Sequence, residues 1–245
     1  MNLIEQLNIV EIRGTIFISQ IQFSWELVHQ IQDVLGITYI PSVNISSAPM
    51  FIEGKLMNSV MSQGEWSLTS PDKKQRIIFQ SQKIDIIEEF NISYSSELIS
   101  LFSKKCKSLF SLIISDSVKC SRIAIAPTFE YTGNKESIIA FANACFNLNK
   151  FRDVKMDNCE FSQVFRVKEK ISDMDVFFNY LSKFYSINKV ISIDGVNQLA
   201  EVTMIDFDIN SKVNPDIVFD YKAIDDFFDK ASTYCGSFLS LYFHE

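Results

Sequence analysis

Glycine, proline and histidine are scarce in this chain of 245 residues, which holds 7 Gly, 5 Pro and 2 His. So few glycines cannot supply the phosphate-cradling loops of nucleotide-binding proteins, and neither a Walker loop nor a GxGxxG motif occurs. A nucleophilic enzyme needs a base beside its nucleophile, but His29 falls within an amphipathic segment and His244 is the penultimate residue. We therefore assign no catalytic and no cofactor-binding residue, and expect a non-enzymatic protein without a cofactor.

The chain also lacks paired cysteines, an export signal and long apolar runs. Its five cysteines include no CxxC pair, which is typical of reduced thiols in a cytosolic core, and we assign no metal-binding residue to them. The N-terminal segment carries Glu5 where a secretory signal would need positive charge. No apolar run approaches the roughly 18–20 residues that cross a bilayer. The sequence therefore predicts a cytoplasmic protein that does not contact membranes.

Positive charge is outnumbered, with 23 Lys and Arg against 30 Asp and Glu and a formal net charge of −7. Such a chain attracts phosphates poorly, so nucleic acid is an unexpected partner for the free chain. The imbalance is local: residues 194–229 are strongly acidic, whereas residues 73–122 have a basic excess. We favour a solvated surface for both segments, and the alternative is that they meet each other, a second copy or another protein.

What is abundant is apolar sequence, since 47% of the residues are hydrophobic and 22 are Phe. Residues 1–116 predict the order β-α-β-β-β-β-α. A strand over 9–18 precedes a helix from the Ser24 cap to Gly36. Four strands follow in 37–90, including a hairpin that turns at residues 70–74, and a long helix around Phe102 closes this half. Pro41 predicts an edge position for the first of the four strands.

Residues 117–245 predict the order β-α-β-α-β-β-α. The strand CSRIAIAPTFEY precedes a short helix capped by Asn134, and residues 160–168 alternate as a second strand. After Ser172 the apolar residues recur at helical spacing, so we expect a helix there. Two strands joined through Gly195 and a long helix from Tyr221 complete this half.

These elements predict an α+β fold with antiparallel sheet and helices packed on one face. We place an N-terminal half at 1–116 and a C-terminal half at 117–245, with one continuous domain as the alternative. Both halves contain a strand, a helix, paired strands and a terminal helix, so we also predict two pseudo-repeated β-α-β-β-α halves.

Asp206 and Asp208 are the strongest candidates for chemistry. On a strand they share one face, where paired carboxylates suit a metal-dependent hydrolase or nuclease. The segment from Asp206 begins like a calcium loop, but Ser211 and Ile217 stand where the loop requires glycine and glutamate. We therefore favour a solvated strand end and keep the hydrolase or nuclease as an alternative function.

The hairpin segment WSLTSPDKKQRIIFQSQKIDI and the strand EVTMIDFDI before the closing helix resemble a sporadically distributed bacterial family of about this length. That resemblance implies no catalytic residues, and it implies mobile-element or phage-defence gene neighbourhoods. We expect a non-enzymatic protein-protein interaction module, a component of an anti-phage defence or mobile-element system, that binds another protein or itself as a homo-oligomer. A small-ligand binder with an apolar cavity under the Phe-rich helices is a further alternative.

Overall fold

A computed structural model describes residues 6–19, 21, 23–45, 48–52, 55–59, 64–115, 118–131, 161–193 and 196–242. Its elements are three helices and eleven strands within those ranges. In chain order they are β1 (Leu7–Ile18), α1 (Trp25–Leu35), β2 (Ile40–Ile45), β3 (Ala48–Ile52), β4 (Lys55–Ser59), β5 (Gly64–Thr69), β6 (Gln75–Gln80), β7 (Lys83–Ser93), α2 (Ser96–Ile113), β8 (Cys120–Tyr131), β9 (Phe161–Ile171), β10 (Met174–Ile193), β11 (Val196–Ser211) and α3 (Tyr221–Tyr242).

Nine strands form one sheet in the order β2-β5-β6-β7-β1-β8-β11-β10-β9, and β3 and β4 form a separate hairpin. Every strand pair described is antiparallel. β1 and β8 pair from Leu7↔Tyr131 to Ile18↔Cys120, so the two halves of the chain share a single sheet. The structure is the predicted α+β fold with an antiparallel sheet.

The connectivity is the same on both sides of the β1–β8 pair. In the first half, β1 pairs with β7, the last strand of the β5-β6-β7 meander, and α2 follows. In the second half, β8 pairs with β11, the last strand of the β9-β10-β11 meander, and α3 follows. This shared order does not establish a duplication, which stays a prediction.

The helices lie in one layer, because α1 packs against α2 and α2 against α3. Ser24 caps α1 by accepting a hydrogen bond from the Leu27 backbone, and Gly36 ends it at φ 65°, as the sequence predicts. Between the helices and the sheet lies a continuous apolar core rich in phenylalanine. Lys107 of the basic segment joins Asp225 and Asp229 of the acidic segment at 3.0 and 2.7 Å. The two oppositely charged segments therefore meet within one molecule.

The turn at residues 70–74 lies where the sequence predicts it. Asp72 accepts hydrogen bonds from the Ser70 hydroxyl at 2.6 Å and from the Lys74 backbone at 3.1 Å. These bonds hold the pKa of the Asp72 carboxyl below its usual range. Pro41 lies in β2, which is an edge strand as predicted.

The prediction of four strands in 37–90 is wrong, since this segment holds six, β2 to β7. Ala48–Ile52 and Lys55–Ser59 pair with each other as β3 and β4. The apolar run after the turn is divided by a tight turn at Ser81 and Gln82, so that Gln80 pairs with Lys83. The four polar residues 80–83 inside an apolar run were therefore a hairpin signal.

The predicted helix after Ser172 is also wrong, because residues 174–193 are the long strand β10. Alternate side chains, Val176, Phe178, Tyr180, Ser182 and Phe184, are buried. Ser172 has φ 51° in the turn between β9 and β10. Pairing with β9 on one side and β11 on the other satisfies the backbone of this segment as a strand.

Several predictions fall outside the described residues, namely the helix from Asn134, Cys145, Cys159 and His244. The other three cysteines are free and buried. Burial raises the pKa of the Cys120 and Cys235 thiols to about 12. Within the described residues, no helix is long and apolar enough to cross a membrane.

Candidate functional site

A depression of about 290 Å³ lies at the centre of the sheet, on the face opposite the helices. Because side chains alternate along a strand, the residues between the core positions of β7, β1, β8 and β11 point to this face. We call it the central depression. Its polar and charged lining is contributed by Glu11, Arg13, Thr15, Lys83, Asp85, Arg122, Thr128, Asp206 and Asp208.

The floor of the central depression is low because β8 carries two alanines there. Ala124 lies opposite Thr15 of β1, and Ala126 lies opposite Arg13. On the other side, β11 places Asn210 opposite Ala124 and Asp206 opposite Thr128. By the same register, Asp208 faces Ala126. Longer side chains therefore surround a floor of two methyl groups.

Most charges around this floor are compensated. Lys83 Nζ lies 2.7 Å from Asp85, which also accepts a hydrogen bond from the Thr15 hydroxyl at 2.6 Å. The Arg13 guanidinium donates to Glu11 at 3.1 Å. Such pairing is required for Asp85, whose residue is only 3% exposed, because an uncompensated buried carboxylate is costly.

Asp206 is held by two hydroxyl groups. Thr128 Oγ1 donates to it at 2.9 Å, and the Tyr185 hydroxyl lies 3.4 Å from the same oxygen. Burial raises the pKa of Tyr185 to about 12, and the Asp206 carboxylate adds to this rise. The phenol therefore remains a proton donor to Asp206 at all physiological pH values.

Arg122 and Asp208 differ from these neighbours. The Arg122 guanidinium lies 5.0 Å from the centre of the Phe17 ring, and among the described residues it makes no ion pair. Its Nε atom is buried without a hydrogen-bond acceptor. Asp208 makes neither an ion pair nor a hydrogen bond with any described residue. Arg122 and Asp208 thus make neither an ion pair nor a side-chain hydrogen bond with a described residue, whereas Asp206 is bonded by two hydroxyl groups.

A second polar depression, of about 470 Å³, lies beside the turn at residues 70–74. Lys105 Nζ contacts both carboxylate oxygens of Glu88 at 2.7 Å, and Gln75 donates to Glu88 at 3.1 Å. The Tyr39 hydroxyl donates to the amide oxygen of Gln75. These groups satisfy one another, as expected of a polar network that fixes the hairpin to α2.

The sequence placed Asp206 and Asp208 on one face of a strand, and both line the central depression. Among the residues that the structure describes, no group of three His, Cys, Asp or Glu side chains is arranged to hold a metal ion. The hydrolase or nuclease alternative is left without a described third ligand and stays a prediction. His29 is exposed on α1.

Sequence reasoning missed Arg13 and Arg122. They lie on strands separated by more than a hundred residues, and only the β1–β8 register brings them to one depression. The one local signal is the pair of alanines in β8, since small side chains at alternate positions predict a low floor. Comparison with known proteins finds no matching family model and no match among curated proteins.

Proposed function

We propose that the protein is a non-enzymatic protein-protein interaction module whose main contact is an arm formed by the ends of β10 and β11. The arm comprises residues 186–193 and 196–202, which pair with each other. The described pairing of β10 with β9 ends at Phe184, and that of β11 with β8 ends at Thr203. The arm therefore extends past the described neighbours of both strands.

The observation that carries this proposal is an exposed apolar pair on the arm. Val190 and Leu199 are directly opposite each other and are 62% and 71% exposed. A two-stranded ribbon is marginally stable in water by itself, and exposed apolar side chains in contact favour association. Burying both side chains against a partner would contribute roughly 2–4 kcal/mol.

The base of the arm is fixed to the sheet. Lys189 Nζ lies 2.5 Å from the carboxylate of Glu130 in β8, and the Glu130 side chain is mostly buried. This ion pair links the arm to β8, the strand that forms the floor of the central depression. An arm held in one orientation loses less conformational entropy on binding than a free hairpin would.

The test uses two double variants as baits. Val190→Thr with Leu199→Thr removes the apolar pair and keeps β-branched or strand-compatible side chains. Val213→Thr with Val218→Thr is the matched control, because these side chains are 66% and 45% exposed beyond the opposite end of β11.

Proteins that the wild-type bait retains from its native host are identified, purified and titrated calorimetrically against all three baits. We expect the arm variant to bind at least about tenfold more weakly and the control to bind like the wild type. Light scattering of each bait tests a second copy as the partner. Equal binding by all three baits would refute the role of the arm.

The family resemblance supports a place in an anti-phage defence or mobile-element system, and the free, buried thiols are consistent with the cytoplasm. Deleting the gene from its native host should raise the plating efficiency of at least one phage. A copy with the arm variant should fail to restore protection, while the control variant restores it. If the arm variant gives full protection against the phage, the arm is not required for the biological role.

A further inference from the structure

We infer that the central depression binds a small linear zwitterion, with a carboxylate at one end and an ammonium group at the other. The site is independent of the arm. Its two poles are Arg122 and Asp208, the cation and the anion of the depression that make no ion pair and no side-chain hydrogen bond with any described residue. The neighbouring pairs Lys83–Asp85 and Arg13–Glu11 are already neutralised, and the Asp206 carboxylate is bonded by two hydroxyl groups, so Arg122 and Asp208 are the charges left to bind a ligand.

The carboxylate end belongs at Arg122. A guanidinium offers several donors that match a carboxylate, and the Phe17 ring holds this guanidinium in place from one side. Its Nε–H is buried, so an incoming carboxylate would bind the terminal Nη groups, which have no acceptor among the described residues. The ligand therefore gains a charge-assisted hydrogen bond at a group that the protein leaves unsatisfied.

The ammonium end belongs at Asp208. This carboxylate is partly exposed, lines the depression and has all its acceptor positions free of described donors. Asp206, two residues away, is already bonded to Thr128 and Tyr185. A primary ammonium has three donors and no acceptor, so it complements a free carboxylate.

The register sets the length of the ligand. Asp208 faces Ala126, and Arg122 lies four residues along β8 from Ala126, which is about 13 Å at the rise of a strand. The arginine and aspartate side chains and two hydrogen bonds span part of that distance. A short methylene chain spans the remainder and lies over the methyl groups of Ala124 and Ala126. An α-amino acid, whose charges share one carbon, is too short to reach both poles.

The probes are γ-aminobutyrate, δ-aminovalerate and ε-aminocaproate, with butyrate and butylamine as analogues that carry one charge each. We expect calorimetry on the full chain to detect at least one zwitterion. Each single-charge analogue should bind at least about tenfold more weakly, because it loses one charge-assisted hydrogen bond. Equal affinity for the zwitterion and for an analogue overturns the inference, as does the absence of binding by all three zwitterions.

Variants locate the site. Arg122→Gln and Asp208→Asn should each lower the affinity for the tightest-binding zwitterion by at least about tenfold. Arg166→Gln and Asp175→Asn are matched controls, because they remove the same charges from exposed positions of β9 and β10 outside the depression. Losses in the control variants would overturn the inference. If no zwitterion binds and a partner protein requires Arg122 and Asp208, the two poles receive partner side chains and the inference is wrong.

Discussion

Gly14 lies where the sheet packs closely against the helix layer. It lies in β1, and a Cβ atom built there would be 2.4 Å from Cys106 Sγ of α2. That is about 1 Å short of ordinary van der Waals contact, which begins at 3.4 Å. Cys106 is fully buried, and Phe102 and Ile86 close the other sides at 3.4 and 3.3 Å. The added methyl group therefore has no open space to enter.

We expect Gly14→Ala to lower the free energy of unfolding by roughly 1–2 kcal/mol. Overpacking a filled core costs about 1–3 kcal/mol. Replacing glycine by alanine in a regular element offsets roughly 0.5–1 kcal/mol of this cost, because the unfolded chain loses freedom. The measurement is urea denaturation followed by circular dichroism. The slope of the free energy of unfolding against urea concentration should be the same in the variant and the wild type.

Two further variants make the test specific. Removing the sulfur with Cys106→Ala in the Gly14→Ala background should recover at least about 1 kcal/mol relative to additive effects, as residues in contact do. Gly236→Ala is the matched control: an added Cβ meets nothing within 4 Å, and the residue lies inside α3. It should stabilise by about 0.5–1 kcal/mol. A neutral Gly14→Ala, or strict additivity with Cys106→Ala, would refute the packing described here.

Three other predictions concern titratable groups. Asp206→Ala should cost about 1–2 kcal/mol in urea denaturation because it leaves two hydroxyl groups without their acceptor, whereas Asp208→Ala should cost under about 0.5 kcal/mol. The hydrolase would instead be favoured if magnesium, manganese or calcium raised the melting temperature of the wild type. The same ions should then leave the melting temperature of the double variant Asp206→Asn, Asp208→Asn unchanged. Because the pKa of Tyr185 is about 12 in the folded protein and about 10 when unfolded, the folded state binds the proton more tightly, so stability should fall as pH rises from about 10 to 12. The tyrosinate absorbance of Tyr185→Phe, compared with the wild type, checks that window, and a loss of tyrosinate near pH 10 contradicts the shift. Cys120 and Cys235 should resist a thiol reagent at about pH 8 in the native protein and react in urea, and fast native labelling would contradict their burial.

The helices at both ends of the chain were predictable because their signals are local. Ser24 and Gly36 mark the two ends of α1 within a dozen residues. The turn at Asp72 was predictable for the same reason, since its side chain bonds the backbone two residues away. Capping and turn hydrogen bonds join residues that are neighbours in sequence, so they can be predicted without knowledge of the tertiary structure.

The strand β10 shows where local patterning is insufficient. Val176, Tyr180 and Phe184 fit a helical period and also fit strand alternation, because a spacing of four satisfies both. Phe178 decides between them, since it is fully buried only in a strand that places even-numbered residues toward the helices. Its burial depends on α3, where it stacks on Phe227 at 5.3 Å between ring centres. That contact is distant in sequence, so the period alone could not show it.

The central depression was not predictable for a related reason. Its floor comes from β8, and its charged rim comes from β7, β1 and β11. Whether Arg122 has a partner depends on the register of β1 and β8. A shift of that register by one residue would turn the side chain to the other face of the sheet. The sequence identified Asp206 and Asp208 as a pair, but only the structure separates a hydroxyl-bonded carboxylate from an uncompensated one.

The division between residues 1–116 and 117–245 follows the order of elements, but contacts of the sheet and of the helix layer join the two halves. β1 and β8 pair along their whole length at the centre of the sheet, and Lys107 bridges α2 to α3 on the helix side. Cutting the chain there would leave β1 paired only with β7 and β8 paired only with β11, each as a long exposed edge strand, which is an aggregation hazard. The central depression also takes side chains from β1 and β7 of one half and from β8 and β11 of the other. A function at this depression therefore requires both halves in one sheet.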